Sequence, residues 1–225
     1  MHIPDGFIDA PTSVAAGVIA AGGLAVALKK SSEDVLESRA AMAGLVAAFV
    51  FAGQMLNFPV AGGTSGHLMG GVLAAVLVGP WMGALSLTVV LAVQSLLFAD
   101  GGVSAIGLNV INMAFVPAFI GFGLFLLARK ILPANRTGVL TATVLAAVAS
   151  IVLSAVAFVI EYQVGGNGAV PLAEAATAMI GVHVVIGIGE AAFTAFAIGA
   201  VLSVRPDLVY GARDLSPGRL APVPA

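Results

Sequence analysis

The sequence predicts an all-α polytopic membrane protein of seven transmembrane helices, and three observations lead there. Hydrophobic residues occupy 60% of the 225 positions and charged residues only 9%. Mean hydropathy is +1.11, so a water-facing surface of normal polarity cannot be assembled. Several stretches reach the roughly 18–20 apolar residues that carry a helix across about 30 Å of hydrocarbon. Lipid is therefore the solvent for most of the chain.

In chain order, apolar spans are expected at 12–28, 40–57, 67–79, 82–99, 106–128, 138–161 and 174–203. The third is short, and Gly79-Pro80 reads either as a turn between two helices or as a kink within one. Charge decides between these. With seven crossings and an outside amino terminus, Lys29, Lys30 and Arg39 fall in one inside loop, Arg129, Lys130 and Arg136 in another, and Arg205, Arg213 and Arg219 in an inside tail. All nine Lys and Arg residues then face the cytoplasm, as the positive-inside rule expects. Merging spans three and four would put six of the nine outside. The expected organisation is one membrane domain over 1–204, with a Pro- and Gly-rich cytoplasmic tail over 205–225 that is expected to be disordered.

Several functions are excluded by absence. There is no cysteine, so disulfides and thiolate metal sites are ruled out. No basic patch suits nucleic acid, and no GxxxxGK[ST] phosphate loop, HExxH or GxSxG motif supports an enzyme in this chain. No resident cofactor is expected.

The first ten residues, MHIPDGFIDA, lack the basic start of a signal peptide, so the mature chain is expected to begin at Met1 with a free α-amine. The amine of Met1, the amide nitrogen of His2 and His2 Nδ1 can close adjacent five- and six-membered chelate rings on one ion. That supplies three nitrogens nearly in a plane. The 58–66 loop emerges on the same face, so His67 can supply a fourth nitrogen, and a square set of four favours Ni2+ or Cu2+ over Zn2+ or Mg2+. The α-amine ordinarily titrates near 7.7–8.0, so affinity is expected to fall below about pH 7. Pro4 and Gly6 suit a strand that turns back, and Asp5 or Asp9 can orient the imidazoles. The alternative for His2 is an unengaged terminal residue, and for His67 an interfacial polar one. Four glycines within residues 62–70 permit close backbone approach, and irregular backbone at membrane depth needs protein or a cavity around it.

In the last span His183 and Glu190, seven apart, share a helix face. Such an intramembrane pair is a candidate proton-linked site, or else it bonds polar groups such as Asn109, Asn112, Gln94 or Ser95 on neighbouring helices. Asp100 and Glu161 lie at outer ends, where solvation accounts for them.

The segments MHIPDGF, GGTSGHLMGG, FADGGVSAIGLNVINM and GVHVVIGIGEAAFTA, in this order from Met1 to about Val204, resemble the CbiM/NikM family, the substrate-binding component of energy-coupling-factor transporters for cobalt and nickel. The resemblance implies an extra amino-terminal helix before a six-helix core. It implies Ni2+ or Co2+ held by the Met1 amine, the His2 amide and side chain, and His67. It also implies partners: a transmembrane scaffold subunit, two cytoplasmic ATPases and often a small accessory membrane subunit. Ala40, Gly44, Ala48 and Ala52 form a ladder of small residues on span two, suited either to scaffold docking or to internal packing. The expected function is capture of the ion at the outer face of the plasma membrane for ATP-driven import. A self-contained proton-coupled carrier and a metal sensor are the alternatives.

Overall fold

The computed structural model describes residues 1–32, 37–60 and 64–215. The chain folds into α1 (Ala10–Ser32), α2 (Glu37–Gln54), α3 (Gly71–Val78), α4 (Pro80–Leu97), α5 (Ile106–Arg129), α6 (Arg136–Gly165) and α7 (Leu172–Val204). The expected spans and these helices coincide to within a few residues. Among the described residues five helices, α1 and α4 to α7, are long and apolar enough to cross a membrane alone, whereas the apolar part of α2 is Ala40–Gln54. The eight residues of α3 rise only about 12 Å. Irregular backbone precedes it, and that backbone carries His67.

All eight residues of α3 are buried. The helix is the axle of the fold, packed against α2, α4, α5, α6 and α7. At Gly79 the chain turns and α4 packs back along α3, so Gly79-Pro80 is a turn between two helices and not a kink. By contrast α1 is peripheral. It lies on α4 and α5 with 22% of its apolar window buried, against 56% for α5. Within α5 the stretch Ile111–Gly121 widens into a π-helix around Pro117, which has no N–H for the regular ladder.

Two of the expectations change. The small-residue ladder Ala40, Gly44, Ala48 and Ala52 is exposed, while Ala43, Val46, Val50 and Gln54 form the inward stripe of α2, so internal packing does not account for it. After α7, Pro206–Leu208 and Tyr210–Leu215 form 3-10 turns tucked under the bundle, with Val209 and Ala212 fully buried. Tyr210 packs on Phe122 and beneath the Arg213 guanidinium, and Arg129 pairs with Asp214 at 2.5 Å. This segment is therefore part of the fold and not an unstructured tail. Residues 216–225, and with them Arg219, lie outside the described residues, as do Gly62, Gly63 and the side chain of Arg39.

Candidate metal centre

The amino terminus is built into the protein. Met1 and Ile3 are fully buried and His2 is 3% exposed. An extended strand cannot satisfy its own backbone, so α5 and the loop before it do so. The Ile3 N–H donates to Asn109 Oδ1 at 2.8 Å, and the Ile3 carbonyl accepts from the Gly102 N–H at 2.8 Å and from Asn109 Nδ2 at 3.3 Å. Asp5 Oδ1 accepts the Ser104 N–H at 2.8 Å and its hydroxyl at 2.5 Å. Beyond the turn at Gly6, Phe7 stacks on Phe158 and Tyr162, and Ile8 bridges to Gly166. Asp9 then caps α1, its Oδ1 accepting the Thr12 N–H at 2.9 Å.

The second wall is the loop from a small antiparallel hairpin, β1 (Phe58–Pro59) with β2 (Ser65–Gly66), into α3. Met69 and Gly70 in it are bonded from two helices, with a third behind them. Glu190 of α7 accepts the N–H groups of Met69 at 2.9 Å and Gly70 at 2.8 Å. Gln54 of α2 donates to the Met69 carbonyl at 2.8 Å and accepts from Gln94 of α4 at 2.9 Å. Gly70 has φ +72° and lies where a Cβ would come within 2.5 Å of Val50, so only glycine fits this turn.

Between these walls the His2 and His67 rings lie 4.7 Å apart, centroid to centroid. His67 Nδ1 donates to the Leu68 carbonyl at 2.6 Å, a partner that assigns the proton to Nδ1 and leaves the Nε2 lone pair bare. His67 Nε2 is buried with no hydrogen-bond partner. His2 Nε2 points at Asp100 Oδ2, 3.4 Å away. His2 Nδ1 faces Gly101, at φ +94°, where a Cβ would come within 2.8 Å of it. The Met1 amine and the His183 imidazole both act electrostatically on His67. Burial drives the amine down to about 4, against the pull of Asp100, and drives His2 down to about 3, helped by the nearby amine. Both nitrogens are therefore neutral at neutral pH, which corrects the expectation that the amine must shed a proton near pH 7. A cavity of about 330 Å³ lined by His2, Asp5, Ser65, Asp100 and Gly101 leads in.

Each unpaired buried nitrogen costs about 1–3 kcal/mol. A cation would relieve that cost, and the neutral donors, with no thiolate among them, suit a borderline transition metal. Among the described residues no three His, Asp or Glu side chains converge to hold an ion.

The fold thus brings Met1, His2 and His67 together. Asp5 and Asp9 instead engage Ser104 and Thr12, and the carboxylate beside an imidazole is Asp100, which solvation seemed to explain. His183 and Glu190 are buried on one face, as expected, but have separate partners: His183 Nδ1 donates to the Met179 carbonyl at 2.7 Å, and Glu190 holds Met69 and Gly70. The four candidate partners on neighbouring helices are used elsewhere: Gln94 on Gln54, Ser95 on the Gly101 carbonyl, Asn109 on Ile3 and Asn112 on Glu161. The roles of Asn109 and Asp100 were missed; the DGG and GLN triplets beside the apolar span are the signal that marks them.

A helical membrane bundle that closes a buried, neutral nitrogen cluster over its own amino terminus belongs with proteins that handle transition-metal ions. Residues 2–208 match the family described as CbiM, cobalt uptake substrate-specific transmembrane region, and the chain belongs to that family. A protein of Haloquadratum walsbyi, named provisionally for metal transport, is 38% identical over 213 residues, 93% of this chain and 94% of its own. The cobalt transport protein CbiM of Sorangium cellulosum is 31% identical over 218 residues, 93% of this chain and 94% of its own. A crystal structure of a truncated transition metal transporter superposes with a TM-score of 0.83 at 32% identity, covering 90% of this chain and 99% of that one.

Proposed function

We propose that this chain is the substrate-capture subunit of an ATP-driven energy-coupling-factor importer that takes Ni2+ or Co2+ from the outer face of the plasma membrane. The ion, as cargo, is held by the Met1 amine, the His2 amide and Nδ1, and His67 Nε2. The observation that carries this reading is the bare, buried Nε2 of His67 beside the His2 ring and the buried amine. Asp100 Oδ2, 3.4 Å from His2 Nε2, is the carboxylate placed to orient that imidazole and raise its basicity once the ion is bound. The His2 amide becomes the main source of a released proton.

This chain carries no ATP-binding motif, so energy comes from partners: a transmembrane scaffold, two cytoplasmic ATPases and a small accessory membrane subunit. The exposed ladder of Ala40, Gly44, Ala48 and Ala52 suits close approach by a scaffold helix. The self-contained proton-coupled alternative is weaker, because Glu190 is committed to the α3 turn.

Adding one residue before Met1, or acetylating it, tests the site. Equilibrium dialysis should find one ion per native-start chain and almost none on the extended chain, with equal helical circular dichroism. Equal binding by both would overturn the amine-based site.

A further inference from the structure

We propose that a notch at the end of the bundle opposite the metal centre, where α1 finishes and α4 begins, binds the phosphate of an anionic phospholipid headgroup. Lys30, Ser31, Gly79, Trp81, Met82 and Tyr210 line it. The 18 residues of α4 run from this notch towards Asp100, a rise of about 27 Å. That is close to the thickness of the hydrocarbon, so the notch lies at the second membrane boundary. Nothing in it depends on how Met1, His2 and His67 meet an ion.

The notch is rich in hydrogen-bond donors. An α-helix leaves the N–H groups of its first turn without intrahelical partners, and that end carries partial positive charge. In α4 the residue before the first turn is Gly79, which has no side chain to cap them, and no acidic residue stands in the turn. Pro80 has no N–H, so the groups left for a ligand are those of Trp81 and Met82. Gly79, at φ +91°, lets the chain turn here, and a Cβ on it would meet the Tyr210 ring at 3.0 Å. A separate observation also points to a ligand. Ser31 is 8% exposed, and its hydroxyl is buried without a hydrogen-bond partner although it borders this notch. Buried hydroxyls are rarely left so. An anion that accepts from the hydroxyl and from the helix terminus satisfies both, and Lys30 supplies the opposite charge beside them.

Size and surroundings favour a lipid over a soluble phosphate. The notch holds about 30 Å³, room for roughly two water-sized groups, which suits the two non-ester oxygens of a phosphodiester. The rest of the molecule has to lie outside, where Val26 and Leu28 in the last two turns of α1 are exposed apolar side chains. Trp81, packed on Phe119 with ring centroids 4.7 Å apart, is the aromatic type that sits at headgroup level.

Trp81 is the one tryptophan of the chain, so its emission reports on the notch directly. Full-length protein in detergent is titrated with phosphatidylglycerol brominated on its acyl chains, and with equally brominated diacylglycerol, which lacks the phosphate. Inorganic phosphate is added as a competitor. The phospholipid should quench saturably at a mole fraction about tenfold or more below that needed by diacylglycerol. Ser31→Ala should raise that mole fraction about tenfold and Lys30→Gln about fivefold, with helical circular dichroism and Ni2+ affinity unchanged. Equal quenching by the two lipids, or variants that titrate like the native protein, would overturn the proposal. Displacement of the phospholipid by inorganic phosphate at equal concentration would overturn the assignment to lipid.

Discussion

The pair α6 and α7 and the metal-centre end of the bundle solve the same problem in opposite ways. The two helices, 30 and 33 residues long, satisfy their backbones internally and need only apolar surface and small contact residues such as Ala147, Ser150, Ser154 and Gly187. The candidate centre is made of non-helical backbone, residues 1–9 and 64–70, much of it buried, where unpaired N–H and C=O groups are costly. Its polar neighbours are spent accordingly: Asn109 on Ile3, Gln54 and Glu190 on the 69–70 turn, and Asp5 on Ser104. Beside these, the buried Nε2 of His67 has no hydrogen-bond partner. Polar residues at this end therefore include two groups, those that hold the irregular backbone and those, His67 among them, that are proposed to meet the ion.

The largest effect should come from breaking the first group. Glu190→Ala strips the buried N–H groups of Met69 and Gly70, each worth about 1–3 kcal/mol. Thermal unfolding in detergent should drop by several degrees and metal binding should be lost with it. An unaltered midpoint would remove Glu190 from the backbone-holding group.

Next come the two carboxylates near the amino terminus. Asp100→Asn should weaken Ni2+ binding about 10–100-fold, the range for a group behind a metal-bound imidazole, whereas Asp5→Asn should cost less than about threefold. Equal effects would mean that the contact of Asp100 with His2 does not matter.

Proton linkage separates the metal-free from the loaded centre. The Met1 amine falls from 8.0 to about 4 and His2 from 6.5 to about 3 on folding, so the unfolded chain takes up protons first. The stability this represents is present in full above about pH 8 and is lost as pH falls through the folded values. The unfolding midpoint of metal-free protein should decline between pH 8 and pH 5, and more steeply when Ni2+ is bound, because unfolding the loaded chain also returns a proton to the His2 amide. A flat profile without metal would contradict burial of a neutral amine.

The smallest effect on the centre should come from the exposed ladder of α2. Ala48→Leu adds bulk where lipid or a partner lies, so metal affinity should stay within about twofold while recovery with the scaffold subunit falls. Undiminished co-purification would leave the ladder to lipid.

Much of this was legible in the chain itself. Apolar runs of spanning length are dictated by composition, and the one-sided Lys and Arg pattern distinguished the Gly79-Pro80 turn from a kink before any packing was known. The nearness of His2 and His67 was legible because the expected topology puts the amino-terminal strand and the 58–66 loop on one face, and the two rings lie 4.7 Å apart. Tertiary structure decided what depends on atoms far apart in sequence. Asn109 meets Ile3 across 106 residues and Glu190 meets Met69 across 121, distances over which no periodicity carries information. It also decided that Asp9 caps a helix while Asp100 faces an imidazole, and that the amine is neutral. A carboxylate's role and a base's proton affinity are set by what surrounds them after burial, and that surrounding exists only once the chain has folded.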